Sequence, residues 1–212
     1  MEYDFLTWLG HASFMINANG LNIFIDPYRI GGISEKADII FITHAHRDHF
    51  SEEDIAKIAK EGTKFVGPKE VIDRLGEGIV VKPGSKGEVL GIRYEAVAAY
   101  NTDPEKLEFH KKESAWVGFV VEANGKRIYH PGDTDRIDEM KKVHADLALL
   151  PCGGKYTMDI DEAILASRMI DAKSFAPMHY KSLLGEEKAK ELEKKFLENV
   201  KNGIILKERR EA

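Results

Sequence analysis

One hexapeptide, His44-Ala45-His46-Arg47-Asp48-His49, constrains this chain more than any other feature. It follows the apolar run Ala37 to Thr43, which reads as a strand. A strand's side-chain period of two sends His44 and His46 to the same side, and a following turn swings Asp48 and His49 towards a second point. The fold must therefore gather three imidazoles and a carboxylate at one strand end. A solvated, histidine-rich turn would not account for that density. Imidazole and carboxylate donors without thiolate suit zinc, manganese, iron or nickel. Two such ions about 3.5–4 Å apart can clamp a hydrolytic transition state.

The chain has 212 residues, 43% of them hydrophobic, enough for one sizeable core and too few for two generous ones. A single domain over residues 1–212 is expected. The formal net charge of −5 argues against a life on nucleic-acid backbones or anionic membranes. The single cysteine, Cys152, excludes an internal disulfide and makes a thiolate metal site unattractive. The start, Met1-Glu2-Tyr3-Asp4-Phe5, opens directly into a strand pattern without an export signal, and apolar stretches break well before the ~20 residues of a membrane span. The expected location is the cytoplasm.

Strand patterns dominate the first quarter: Phe5 to Leu9, Ser13 to Asn17, Leu21 to Asp26 and Ile39 to Thr43, with Asn19-Gly20 suited to a tight hairpin. A helix capped by Ser51 and ended by Gly62 follows. Strands are expected over Lys64 to Val66, Ile79 to Val81 and Ile92 to Ala98, with a short helix over Lys69 to Leu75. A second hairpin, Val117 to Glu122 and Lys126 to His130, turns on Asn124-Gly125. Phe14/Phe119, Asn19/Asn124, Gly20/Gly125 and Ile23/Ile128 coincide at one fixed offset, which points to two related halves, although hairpins draw turn residues from a short list. Beyond lie helices over Asp135 to Val143, Asp159 to Ile170 and Glu186 to Val200, and strands over Leu147 to Leu150, Ser174 to Pro177 and Ile204 to Leu206. Helices and strands in both halves suggest mixed sheets covered on their outer faces.

Two more ligand candidates stand where a strand hands over to a loop: Asp133 in His130-Pro131-Gly132-Asp133-Thr134 and His179 in Pro177-Met178-His179-Tyr180. With the opening cluster they resemble the metallo-β-lactamase superfamily motif by motif, over essentially the whole chain. Gly10-His11-Ala12-Ser13, Ile25-Asp26-Pro27 and Gly153-Gly154-Lys155-Tyr156 further resemble a subgroup of small metal-dependent hydrolases related to ascorbate-6-phosphate lactonase. The resemblance implies an α/β (α+β type) fold, a four-layer αββα sandwich, with two divalent metal ions in a groove at one edge of the sheets, zinc first and manganese, iron or nickel as alternatives.

Carried over residue by residue, the resemblance implies that His44 and His46 bind the first metal, Asp48, His49 and His179 the second, and Asp133 bridges them. Many relatives supply a third histidine to the first metal after the strand that here ends Val97-Ala98-Ala99-Tyr100. This chain has Asn101 there, a poor zinc ligand beside imidazole. His110, nine residues on, is the substitute. His11 is a candidate catalytic group alongside Asp48, or a buried structural histidine. Asp26 is a candidate to orient a ligating imidazole, or a simple turn starter before Pro27. Asn101 is a candidate for substrate contact or ligand support. His130 and His144 are not expected to ligate, and Gly132, Gly153 and Gly154 are read as backbone positions rather than a phosphate cradle.

The expected activity is metal-dependent hydrolysis of a small ester, lactone or phosphoester, with a homo-oligomer open. Nuclease action is the first alternative, disfavoured by charge and by the lack of a basic arm. Related di-iron oxygen-reducing proteins place a glutamate where this chain has His46. A non-enzymatic metal-binding module is the remaining alternative, although structural sites are normally closed.

Overall fold

The computed structural model describes residues 3–209; Met1 and Glu2 of the N-terminal reading lie outside that range. The chain forms two six-stranded sheets. The first carries β1 (Leu6–Gly10), β2 (Ser13–Ala18), β3 (Leu21–Ile25), β4 (Ile39–Phe41), β5 (Lys64–Pro68) and β6 (Ile79–Val81) in sequence order. The second holds β7 (Lys86–Val89), β8 (Ile92–Ala98), β9 (Val117–Ala123), β10 (Lys126–His130), β11 (His144–Pro151) and β12 (Asp171–Met178), again neighbour beside neighbour. Each sheet runs from antiparallel hairpins into parallel strands: β3 to β6 in the first and β10 to β12 in the second are parallel.

Strand alternation shows which face each sheet buries. In β3 and β4, Ile23, Ile25, Ile39 and Phe41 join the core between the sheets. Their neighbours Phe24 and Ile40 point outward, to Ile55, Ile58, Val71 and Ile72 of helices α1 (Glu52–Ile58) and α2 (Lys69–Leu75). On the other flank Ala163 and Ile164 of α3 (Ile160–Ser167) and Leu192 and Phe196 of α5 (Glu186–Asn199) are buried against the main core. The result is the expected αββα sandwich. Among the described residues, no helix is long and apolar enough to cross a membrane.

The two halves repeat one another in register as well as order. Phe14 pairs with Ile25 and Ile16 with Ile23 across β2 and β3; Phe119 pairs with His130 and Val121 with Ile128 across β9 and β10. Asn19 and Asn124 both take left-handed backbone at the hairpin tips, as such turns require.

Four expectations fail, among them the helix over Asp159 to Ile170, which ends at Ser167. The segment expected as a helix over Asp135 to Val143 is extended at Ile137 and makes only a 3-10 turn over Asp138–Lys142, because the Asp135 side chain is engaged by the backbone of Thr102 and Asp103. Among the described residues, Ile204 to Leu206 is not a strand; isolated bridges, Phe175 with Gly203 and Trp8 with Glu208, tie the tail to the two sheets, and the three side chains pack against the main core. The helix after Ser51 stops at Ala59, before Gly62. Strand β7 and the one-turn helix α4 (Lys181–Leu184) had no expectation.

Candidate metal centre

Strand ends build the site. His44, His46, Asp48 and His49 follow β4, His11 follows β1, Asp133 follows β10 and His179 follows β12. His110 arrives from the loop between β8 and β9. Gly132, at φ 68°, turns the chain between His130 and Asp133. A side chain there would crowd the Val117 carbonyl and Thr43. Three site residues themselves hold left-handed backbone: His11 (φ 50°), Asp26 (φ 48°) and His179 (φ 57°). For non-glycine residues that conformation costs about 1–3 kcal/mol each and persists only where surrounding contacts over-determine it. Here the His179 amide donates to the His11 carbonyl at 3.0 Å.

Donor atoms fall into overlapping groups. One nitrogen from each of His44, His46 and His110 lies within 4.8 Å of the others, as do donor atoms of His11, Asp48, His49 and His179, and of His44, His49 and Asp133. The Asp133 carboxylate sits between groups: Oδ1 is 3.2 Å from His49 Nε2, and Oδ2 is 3.4 Å from His110 Nε2 and 3.2 Å from His179 Nε2.

The ring nitrogens of His44, His49 and His110 that face away from the cluster are tied down, whereas His179 Nδ1 is buried without a hydrogen-bond partner. Asp26, fully buried, accepts from the Thr43 amide at 2.8 Å, the Thr43 hydroxyl at 2.6 Å and His49 Nδ1 at 2.7 Å. Because the Thr43 proton goes to Asp26, Thr43 Oγ1 accepts from His44 Nδ1 at 2.9 Å. His49 and His44 therefore keep a proton at Nδ1, which leaves Nε2 as the nitrogen each could offer to a cation. The inward atoms His44 Nε2, His49 Nε2, His110 Nε2, His179 Nε2 and Asp133 Oδ1 are buried without a hydrogen-bond partner. Buried polar atoms rarely go unsatisfied, and unpartnered nitrogens beside a carboxylate are what a divalent cation takes up. The donor set fits the metal that the sequence implies.

Electrostatics agree with a buried polar cluster. Burial pushes His44 well below the usual imidazole value and lowers His46. Burial also opposes charge on Asp133, but His179 and His49 outweigh it and hold the carboxyl well below its ordinary range. Burial likewise opposes charge on His49, whereas the Asp133 and Asp26 carboxylates raise it well above. Asp48 is held low by His11 against its own burial.

The family relationship rests on comparison. A family profile described as the beta-lactamase superfamily domain matches residues 5–179. A UPF0173 metal-dependent hydrolase of Methanoculleus marisnigri is 36% identical over 82% of this chain and 80% of its own length. The chain belongs to this family of metal-dependent hydrolases. A Bacillus pumilus hydrolase of the same description is 33% identical over 82% of this chain and 84% of its own. A structure from Parabacteroides distasonis, described as a metal-dependent hydrolase, superposes with a TM-score of 0.85 at 32% identity over 96% of this chain and 93% of its own.

In this hydrolase the structure brings all seven sequence-derived ligand candidates, His44, His46, Asp48, His49, His110, Asp133 and His179, into one cluster. Asn101 stands apart from the donor groups and accepts from His110 Nδ1 at 2.7 Å. His11 lies within a donor group, its Nε2 3.0 Å from Asp48 Oδ2 and its Nδ1 3.0 Å from Ser182 Oγ. His130 bonds the Ala12 carbonyl, and His144 pairs with Asp171 at the surface. Sequence reading missed Trp116, whose ring packs against His44, His46 and His110 with centroids 5.0, 4.8 and 5.8 Å away. It also missed Thr43 and Ser182. Their neighbours in the motifs gave the only signal.

Proposed function

We propose that this hydrolase cleaves a small ester, lactone or phosphoester carrying a negatively charged group, using two divalent cations, zinc foremost. The observation that carries the reading is the Asp133 carboxylate, which lies 3.2–3.4 Å from inward-facing imidazoles of both proposed ligand sets, His110 of one and His49 and His179 of the other. His44, His46 and His110 would hold one cation, and Asp48, His49 and His179 the other. When bound, such cations supply Lewis acidity, lowering the pKa of water towards neutrality and offsetting charge on an ester or phosphoryl oxygen.

The chain's own residues do the rest. Trp116 shields one side of the cluster from solvent. Asp48, 40% exposed at its side chain, marks the open side. His11 faces an acceptor-only carboxylate, so its proton sits at Nε2 and its Nδ1 accepts from Ser182; that Nε2 proton can pass to a departing oxygen. A cavity of about 490 Å³ adjoins Asp48 and is lined by Tyr28, Arg29, Arg47 and Lys57 among others. Of its three carboxylates, Glu53 and Asp54 are engaged by Lys57 at 2.9 and 3.2 Å and Asp48 by His11 at 3.0 Å. Arg29 and Arg47 remain to grip an anionic substituent, for which guanidinium geometry is suited. A lactone or phosphorylated small molecule resembling the substrate of ascorbate-6-phosphate lactonase meets these requirements.

The test is metal content by elemental analysis, followed by chelation and zinc replacement while matched neutral and carboxylated lactones and p-nitrophenyl phosphoesters are assayed. Two equivalents per chain, with turnover lost and regained in a protein that stays folded, is the expected result. Cleavage of oligonucleotides in place of small esters would establish the nuclease alternative. Unchanged turnover without metal would overturn the mechanism.

A further inference from the structure

Asn101 and His110 mark where this chain departs from the ligand pattern it resembles. Asn101 is buried, and its side-chain nitrogen donates to Asp135 Oδ1 at 3.0 Å and to the Tyr156 carbonyl at 2.9 Å. Both partners only accept, so the amide cannot be reversed without setting two acceptors against its oxygen. The Asn101 oxygen therefore faces His110 Nδ1, 2.7 Å away, and that nitrogen must carry the proton. Its opposite nitrogen, Nε2, is buried, makes no hydrogen bond and faces the cluster 3.4 Å from Asp133 Oδ2, so in the neutral ring it is the atom that carries the lone pair.

The anchor behind Asn101 is itself fixed. Asp135 accepts from the amides of Thr102 at 2.7 Å and Asp103 at 3.0 Å, and Lys106 Nζ lies 3.4 Å from its Oδ1. Lys106 also donates to the Thr157 carbonyl and to Glu162. The loop is closed by the Asn101 amide donating to the His110 carbonyl at 2.8 Å. A ten-residue excursion thus returns His110 to the side chain at its own base.

We infer that Asn101, clamped by Asp135 and the Tyr156 carbonyl, is a positioning residue that holds His110 in the tautomer able to ligate a cation. Reversed, the amide would put a proton on His110 Nε2, aimed at Asp133 Oδ2 and closing that nitrogen to metal. The inference rests on the two-cation reading for its consequence, but the tautomer itself can be read without metal.

Long-range ¹H–¹⁵N NMR on chelator-treated, folded protein, with His110 assigned through His110→Gln and recorded at a pH where the ring is neutral, is expected to show the single ring proton at Nδ1. An Nε2-protonated or mixed ring in the wild type overturns the inference without any further variant. In Asn101→Leu, checked for folding by circular dichroism, the ring should become a tautomer mixture. Competition with a zinc chelator should then show one zinc position weakened roughly 10–100-fold and the other retained, the range typical when a ligand's supporting hydrogen bond is lost. Unchanged tautomer and affinity in Asn101→Leu would also overturn it. If the wild-type ring is protonated at Nδ1 but His110→Gln binds zinc as tightly as wild type, the positioning stands and the two-cation reading falls.

Discussion

Asp26→Asn replaces one atom, yet the structure makes its cost calculable. The carboxylate accepts three hydrogen bonds: the Thr43 amide on Oδ1, and the Thr43 hydroxyl and His49 Nδ1 on Oδ2. An asparagine must place its NH₂ on one side. On the Oδ1 side, it meets the Thr43 N–H donor to donor in a fully buried spot. On the Oδ2 side, it meets His49 Nδ1–H and turns the Thr43 hydroxyl from donor to acceptor. That hydroxyl then points its proton at His44 Nδ1, and both imidazoles must move their protons to Nε2, where the cluster needs lone pairs. The first arrangement strands a buried donor at about 1–3 kcal/mol. In a protein of this size each kcal/mol lowers Tm by about 2–4 °C, so differential scanning calorimetry should record a drop of roughly 2–12 °C. The second moves the perturbation onto the inward nitrogens, and on the proposed metal reading zinc affinity measured by chelator competition should fall roughly 10–100-fold. A variant with wild-type Tm and wild-type zinc affinity would refute the role given to Asp26.

Two further predictions follow from packing and burial. At Gly118 a β-carbon would lie 2.5 Å from the Pro131 backbone, two residues ahead of Asp133. Gly118→Ala should cost about 1–3 kcal/mol or more by overpacking and, on the proposed metal reading, reduce the metal bound per folded chain; a melt and metal content like the wild type would show that Pro131 yields freely. His130 is fully buried, and burial lowers its pKa below the ordinary 6.5. The unfolded chain takes up this proton first as pH falls, so folding stability should decline from pH 6.5 down to the lowered native value and be fully present above 6.5. His130→Gln should flatten part of that decline in urea unfolding of chelator-treated protein; an unaltered pH slope would exclude His130 as its source.

Local physics made the hairpins and the opening cluster readable. Asn19-Gly20 and Asn124-Gly125 demand left-handed backbone, and the alternation around them fixes which face of each strand is buried. His44 and His46 could be placed because a strand precedes them, whereas Asp26 was nominated through the Ile25-Asp26-Pro27 resemblance and its bond to His49 appears only in the fold. What could not be read depends on partners far along the chain. The helix expected after Thr134 fails because Asp135 turns its side chain to a loop 32 residues or more away. Trp116, just ahead of the strand expected from Val117, gave no local sign that its ring would pack on three imidazoles. Strand β7 carries Lys86, Gly87 and Glu88, with no apolar alternation to reveal it. His110 could be nominated from residue type, but Asn101 as its support appears only once the loop between them is seen to close.

The repeat of hairpin and parallel strands leaves the candidate ligands divided between halves, with His44, His46, Asp48 and His49 from the first sheet and His110, Asp133 and His179 from the second. The only cysteine is buried and free, so no disulfide joins the two sheets. A cation shared across that seam would act as a reversible staple. Its strength would depend on supply, since free zinc at a hundred times the dissociation constant adds about 2.7 kcal/mol per site to the folded state. The resistance of this chain to unfolding and proteolysis would then track the zinc concentration around it, making the stability of the enzyme a readout of metal sufficiency.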